Sequence, residues 1–420
     1  MPAEIIAVGS EMLTPHRIDT NSLFLTEQLN DLGIAVTFKT IVGDAMDDLL
    51  ATIRTALSRS EIIVLSGGLG PTQDDLTREA VAGALGLTMD RREDLLESLR
   101  QRYAARSIVM PPNNAQQADV IDGAEVLPNP NGSAVGQLLR TFIGHDPRIL
   151  ILLPGPPKEL KPLFIDEVRP RLQHAFPSAH LRRRLLRMAL IPESQVDARC
   201  APIYQRYKDV ETTILAGSAE IQLHFVCSKP TAAAAQSRVD ELAGRIEAEM
   251  DDAIFSAHGE SLPEIVLLHL GMRGLTLAVA ESCTGGLLAE RLTETPGASR
   301  TFLGGAVVYA DALKTSLAGV PAALIAEHGA VSEPVARALA EGIRTRTGAS
   351  LGLSITGLAG PGGGSAPGPD ADKPVGLVYL ALAGLGAETQ TRQLNLTGDR
   401  ERIRLWASQH ALELLRRSLL

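Results

Sequence analysis

Aromatic side chains are scarce in this sequence of 420 residues: five tyrosines, eight phenylalanines and one tryptophan, 3% in all. Its core must therefore be aliphatic. Basic excess is missing too. The formal charge of −9 argues by bulk electrostatics against a nucleic-acid protein, while leaving room for a local patch. Cysteine is rare: Cys200, Cys227 and Cys283, odd in number and far apart, make neither a disulfide framework nor a zinc knuckle. The nine histidines show no HxxxH-type spacing. No apolar run approaches the length of a membrane span, and Pro2-Ala-Glu-Ile-Ile-Ala-Val reads as a strand rather than a signal peptide. A reducing cytoplasm is the expected setting. No repeat of 20–50 residues is present. What remains, 45% apolar and 21% charged, is ordinary for a globular protein, and the length predicts roughly two to three domains.

The first 170 residues alternate strand and helix. Glu4 to Gly9, Ile34 to Val42, Glu61 to Ser66 and Arg148 to Leu153 read as strands; Thr20 to Leu29 and Ala45 to Ser58 read as helices, the second capped by Asp44. Apolar strands separated by amphipathic helices imply a parallel sheet covered on both faces, with ligands beyond the strands' carboxyl ends. Three such ends carry Gly9-Ser-Glu, Gly67-Gly-Leu-Gly-Pro-Thr and Pro154-Gly-Pro-Pro. Residues 173–256 change character: basic Leu181-Arg-Arg-Arg-Leu-Leu-Arg leads into a small α+β module. From 257 the βα alternation resumes, broken by the low-complexity loop Pro361 to Asp370, expected to be mobile. The predicted domains are thus 1–172, 173–256 and 257–420.

In the last domain, Ala280-Glu-Ser-Cys-Thr-Gly-Gly follows an apolar strand and precedes a helical run. A strand, a glycine turn and a helix start can form an anion or oxyanion site. Serine and threonine are equally good helix caps, so both readings stand at this point. A second stretch, Gly304 to Lys314, is a strand reaching Tyr309, with Asp311 as an N-cap and Lys314 in the first helical turn. A cation there opposes the helix dipole. With some burial, that placement lowers a lysine's pKa and makes the neutral amine available; serine with lysine is a recurrent nucleophile–base pair. Cys283 is the better intrinsic nucleophile, yet no histidine partner is evident and packing is its expected role. Arg400 and Arg404, at i and i+4, share a helix face and could clamp a phosphate.

Glu281-Ser-Cys-Thr-Gly-Gly, Tyr309 with Lys314, His328-Gly-Ala-Val-Ser, Thr356-Gly-Leu-Ala-Gly-Pro, Lys373-Pro-Val-Gly and Gly398-Asp-Arg, in that order, resemble the C-terminal domain of the CinA family. The resemblance implies a nicotinamide-nucleotide amidohydrolase, converting nicotinamide mononucleotide to nicotinate mononucleotide and ammonia without a cofactor. It implies Ser282 as nucleophile, Lys314 and Tyr309 as activating partners, and a pocket including Thr284, Gly285, Gly286, Thr356, Gly357, Gly360, Arg400 and Arg404. Two departures are visible. Ala310-Asp311 stands where the family pattern has Ser-Asn, and the glycine loop carries a long Pro/Gly insertion.

Ser66-Gly-Gly-Leu-Gly-Pro-Thr-Gln-Asp-Asp-Leu-Thr and Leu153-Pro-Gly-Pro-Pro-Lys-Glu resemble the molybdopterin-binding fold. With Gly9-Ser-Glu-Met-Leu, Asp19-Thr-Asn and Val42-Gly-Asp they are similar to the CinA N-terminal domain, which implies a metal-dependent ADP-ribose pyrophosphatase. Gly67, Gly68, Gly70, Thr72, Asn21 and Gly155 would hold the nucleotide's phosphates. Glu11, Asp44, Asp74 and Asp75 would bind a divalent ion (Mg, Mn or Co), with potassium beside it, although Asp44 and Asp74 are also good helix caps. The loop lacks the lysine of a P-loop kinase. The middle module resembles a KH-type insert but has no G-x-x-G clamp, so its arginines read as a solvated face or subunit contact before a phosphate patch.

The expected fold class is α/β throughout: a doubly wound molybdopterin-binding-like domain, a small α+β KH-type module and an α/β amidohydrolase domain. The expected protein is a homodimer acting on nicotinamide mononucleotide and ADP-ribose, with no membrane and no nucleic-acid partner. The rivals are a nucleotide or molybdopterin-binding protein without N-terminal turnover, and a competence or DNA-recombination adaptor.

Overall fold

Strands in the first half bury both of their faces, which is why they read as unbroken apolar runs. A computed structural model of the chain describes residues 2–176, 180–217, 219–360 and 368–420; the loop expected to be mobile lies, through residue 367, outside them. The described residues form two compact units, Met1–Arg182 with Ser228–Ala235, and Arg183–Cys227 with Gln236–Leu420.

The first unit is built on β1 (Pro2–Val8), β2 (Ala35–Val42), β3 (Ile62–Ser66), β4 (Glu125–Leu127), β5 (Gly136–Ile143) and β6 (Asp146–Leu153), in the order β2-β1-β3-β6-β5-β4. Ile6, Val8, Ile63 and Leu65 face one side, where Leu49, Ile53 and Ala56 of helix α2 (Met46–Arg59) and Val81 of α3 (Thr77–Leu85) cover them. Ala3, Ile5, Ile62 and Val64 face the other, against Leu25 and Leu29 of α1 (Thr20–Asp31) and Phe164. Strands β2, β1, β3 and β6 run parallel. The expected all-parallel sheet is extended instead by β5, antiparallel to β6, and by β4, paired antiparallel with β5: β5 and β6 are joined by a short turn, which permits only the antiparallel pairing.

Strands β7 (His180–Ala189), β8 (Glu211–Gly217), β9 (Glu220–Lys229) and β10 (Ile254–Ser256), most of whose residues belong to the second unit, form a sheet in the order β8-β9-β7-β10. The basic stretch is part of β7, and two of its arginines are engaged internally. Arg184 meets Asp240 and Glu247 at 3.3 Å each, and Arg187 meets Glu220 at 2.6 Å. Neither is a free phosphate ligand. Leu186 and Met188 on the same strand are buried with Val196, Val239 and Ile246.

The C-terminal sheet contains β11 (Leu277–Glu281), β12 (Phe302–Val307), β13 (Leu351–Gly357), β14 (Leu377–Ala383) and β15 (Gln390–Asn395), ordered β12-β11-β13-β14-β15. The first three are parallel, and β14 pairs antiparallel with both β13 and β15. Val335, Leu339 and Ile343 of α6 (Glu333–Thr347) cover one face of β11. Ile403, Ala407, Ala411 and Leu415 of α7 (Arg400–Ser418) cover the other. Helices α4 (Leu287–Thr293) and α5 (Asp311–Ala318) follow the carboxyl ends of β11 and β12. No helix among the described residues is long and apolar enough to cross a membrane.

Candidate functional site

Strand β11 ends in Glu281, and the chain turns through Ser282-Cys-Thr-Gly-Gly into α4. Gly285 and Gly286 have φ of 59° and 98°, a region that disfavours a Cβ. Neither hydroxyl caps the helix. The cap residue is Gly286, and the carboxylate of Glu281, 1% exposed, accepts the N–H groups of Gly286 (3.1 Å), Leu288 (3.1 Å) and Ala289 (2.8 Å). A full charge collects several of the helix's orphan donors at once, which no hydroxyl can match. The hydroxyl-cap reading therefore falls. So does the expectation that this helix end holds an oxyanion, because its donors are taken. Glu281→Ala is expected to lower the stability of this unit by about 2–4 kcal/mol, since hydrogen bonds to a charge are worth about 1.5–3 kcal/mol each and do not simply add. Denaturant unfolding measures it; a loss below about 1 kcal/mol would mean the helix end does not depend on the carboxylate.

Ser282 lines a cavity of about 330 Å³ together with Tyr309, Asp311, Lys314, Gly357, Gly360 and Arg400. Its N–H is fixed to the Ile355 carbonyl at 2.9 Å, so the turn is anchored to β13. Lys314 is 1% exposed, and its Nζ donates to the Tyr309 carbonyl and to Asp311 Oδ1, both at 3.1 Å. Asp311 is the first helical residue, not the cap, which is Ala310. Its carboxylate is the acidic partner of Lys314 within the first turn of the helix. Tyr309 offers Lys314 its backbone carbonyl, while its hydroxyl accepts from Arg400 Nη2 at 2.7 Å. Among the described residues no hydrogen bond joins Ser282 Oγ to Lys314 Nζ; bonds of this kind often tighten only when substrate is bound. Cys283 also reaches the cavity, but burial pushes its thiol up to about 12, opposite to the activation a helix end would give.

The remaining candidates stand behind the wall. Arg404 does not join Arg400 in a clamp: its fork holds the Thr284 carbonyl at 3.2 and 2.7 Å and so braces the turn after Ser282. Thr284 is fully buried with its hydroxyl unpartnered, and the Thr356 hydroxyl donates to the Ala330 carbonyl at 2.7 Å. Sequence reasoning missed the opposite wall, Gly329 to Val331, and Asp370. Asp370 Oδ2 accepts the Ala330 N–H at 2.7 Å, and Lys373 Nζ donates to Asp370, His328 and Val331 oxygens at 2.7–2.9 Å. The only signal was the pair of motifs, His328-Gly-Ala-Val-Ser and Lys373-Pro-Val-Gly, that this tie joins.

In the first unit Gly67, Gly68, Gly70, Thr72, Asn21, Gly155, Glu11, Asp44, Asp74 and Asp75 all line one cavity of about 590 Å³ at the ends of β1, β3 and β6. A Cβ on Gly67 would lie 2.2 Å from the Val8 carbonyl, so only glycine permits this approach of loop to strand. Asn21 Nδ2 ties the Gly155 carbonyl at 2.7 Å. Asp44 is no helix cap: that position is Ala45, and the Asp44 carboxylate accepts the Ser10 N–H at 2.7 Å. Nor does Asp74 cap α3, which starts from Leu76. Asp75 accepts both the N–H (2.8 Å) and the hydroxyl (2.5 Å) of Thr72. Among the described residues no three His, Cys, Asp or Glu side chains converge as a metal-ligand set.

Residues 4–174 match a family model described as "Probable molybdopterin binding domain", and residues 259–419 match the CinA C-terminal domain. A CinA-like protein of Acidobacterium capsulatum is 57% identical over the full length of both chains, and one of Koribacter versatilis 53% identical over the full length of both. Among solved structures, the protein CinA of Thermoplasma acidophilum is 31% identical, covering 40% of this chain and 96% of its own, with a TM-score of 0.37. Relatives so similar from end to end leave one conclusion: the chain belongs to the CinA family, with a molybdopterin-binding-like domain preceding the CinA C-terminal domain.

Proposed function

We propose that the C-terminal pocket deamidates nicotinamide mononucleotide. The observation that carries this reading is that Ser282 and Lys314 line one cavity while Glu281, not the serine, caps the helix. Ser282 Oγ attacks the carboxamide carbon as Lys314, in its neutral form, takes the hydroxyl proton; the carbonyl electron pair moves to oxygen. When that oxyanion collapses the C–N bond breaks, Lys314 returns the proton to nitrogen, and ammonia leaves. Water repeats the sequence on the ester, freeing nicotinate mononucleotide and Ser282. Arg400 orients the Tyr309 hydroxyl and provides the cation for the substrate's phosphate.

The first unit is proposed to cleave the diphosphate of ADP-ribose. The residues fit a magnesium-type ion, which needs only one or two carboxylates with substrate phosphates completing its shell; Glu11, whose carboxylate makes no hydrogen bond among the described residues, and Asp74 line the cavity beside the engaged Asp44 and Asp75. A bound ion would polarise the diphosphate. That Asp44 and Asp75 already accept hydrogen bonds from Ser10 and Thr72 favours a second reading for this unit, binding of a nucleotide or molybdopterin without turnover. Chelation separates them. EDTA is expected to stop ADP-ribose cleavage and leave ammonia release from nicotinamide mononucleotide nearly intact. Absence of cleavage even with added Mg, Mn or Co selects the binding reading, and equal loss of both activities contradicts the division of labour.

A further inference from the structure

Beneath the Gly-rich loop of the first unit lies a cation that the chemistry above does not use. Arg78, the second residue of α3, is 1% exposed. Its Nη1 donates to the Leu69 carbonyl at 2.9 Å and its Nη2 to the Gly70 carbonyl at 3.3 Å, while its Nε is buried without a partner. It forms no direct ion pair among the described residues, and Glu79, Asp119 and Asp75 act on it only from farther off. A buried guanidinium without a bound carboxylate is costly, so its place under this loop needs a reason.

The loop's hydrogen bonds supply one. All six carbonyls from Gly67 to Thr72 are drawn to the protein side. The Thr77 hydroxyl holds Gly67 (2.8 Å) and the Thr77 N–H holds Gly68 (3.2 Å). Arg78 holds Leu69 and Gly70. Asn113 Nδ2 holds Pro71 (2.9 Å), and Gln116 Nε2 spans Gly70 (3.2 Å) and Thr72 (2.9 Å). The N–H groups behave in the opposite way. Those of Gly68, Leu69 and Gly70 have no acceptor among the described residues, and all three residues line the 590 Å³ cavity. Backbone donors left unpaired in this manner are rare, and successive ones form a nest for an anion.

We infer that Arg78 and Gln116 are positioning residues: by holding the carbonyls back they present three N–H groups to a diphosphate, and Arg78, with no carboxylate in direct ion-pair contact among the described residues, adds positive charge behind them. The inference rests on the diphosphate reading of this cavity for its ligand class. Calorimetric titration of the full-length protein in EDTA, with inorganic pyrophosphate and with orthophosphate as probes, tests it. Wild type is expected to bind pyrophosphate more tightly than orthophosphate. Arg78→Met is expected to weaken pyrophosphate at least about tenfold and to flatten the dependence of affinity on salt, which a merely structural role would not change. Its melting temperature should hold or rise, because an apolar side chain of similar volume replaces a buried charge. Gln116→Ala, at a half-buried site, is expected to weaken binding severalfold, and it decides the matter if Arg78→Met fails to fold. Unchanged pyrophosphate affinity in a folded Arg78→Met or in Gln116→Ala overturns the inference, as does a wild type that binds neither probe. A wild type that binds pyrophosphate through Arg78 yet never cleaves ADP-ribose leaves the inference standing and retires the pyrophosphatase reading.

Discussion

Replacing Ser282 by alanine is expected to lower turnover of nicotinamide mononucleotide by about 10⁴-fold or more, the loss typical of a missing nucleophile. Cys283→Ala is expected to keep most of it. The contrast follows from two adjacent side chains in different surroundings. Both reach the cavity, but burial holds the Cys283 thiol protonated, with its pKa at about 12, and a thiol is a poor nucleophile beside a thiolate. Ser282 needs only a base, and Lys314 lines the same cavity. Steady-state ammonia release by the two variants decides between them. A dead Cys283→Ala with an active Ser282→Ala would reverse the assignment.

Lys314→Arg is expected to cut kcat by about 10²–10⁴-fold at similar KM, because a guanidinium remains protonated and cannot accept the serine's proton. If Lys314 instead held the substrate's phosphate, arginine would be a tolerable replacement and the change would fall on KM. Lys314 is 1% exposed, between the Tyr309 carbonyl and Asp311. The larger arginine will therefore strain the packing by about 1–3 kcal/mol, and a melting curve measured alongside the kinetics separates that strain from chemistry. A raised KM with kcat nearly intact would sink the base assignment.

Much of this could be read from sequence because the informative signals were local. Glycines and hydroxyls at strand ends mark loops wherever a parallel sheet forms, and ten N-terminal candidates from distant segments do line one cavity. What escaped was decided by competition or distance. Ser282 and Thr284 have the right chemistry to cap α4, but Glu281 reaches the same donors with a full charge. Asp44 and Asp311 stand where caps belong and serve other partners, a loop N–H and the buried Nζ of Lys314. Arg184 and Arg187 read as a surface patch because the carboxylates that pair them, Asp240, Glu247 and Glu220, lie on other elements. The tie from Asp370 and Lys373 to residues 328–331 spans some 40 positions and leaves no periodic trace. Antiparallel β5 and β14 were hidden for a related reason: burial shows in composition, whereas strand direction depends on the connection.

The order of the C-terminal sheet has a consequence for how the chain acquires its chemistry. Strands β14 and β15 meet across a short connection, with Leu382 beside Gln390. Strand β11 instead meets β13 only when Leu277 finds Leu351, and the N–H of Ser282 is held by Ile355 at the end of that ladder. Closing the longer loop costs more chain entropy, and pairings of that range are slow to form. The turn bearing Ser282 therefore lacks one of its holds, that on its own N–H, until residues 351–357 have been synthesised and paired, although Glu281 already meets Val307 of β12 and Val308 after it. A nascent or partly folded chain can hold its local hairpin and its helices while the Ser282 N–H still lacks its Ile355 partner.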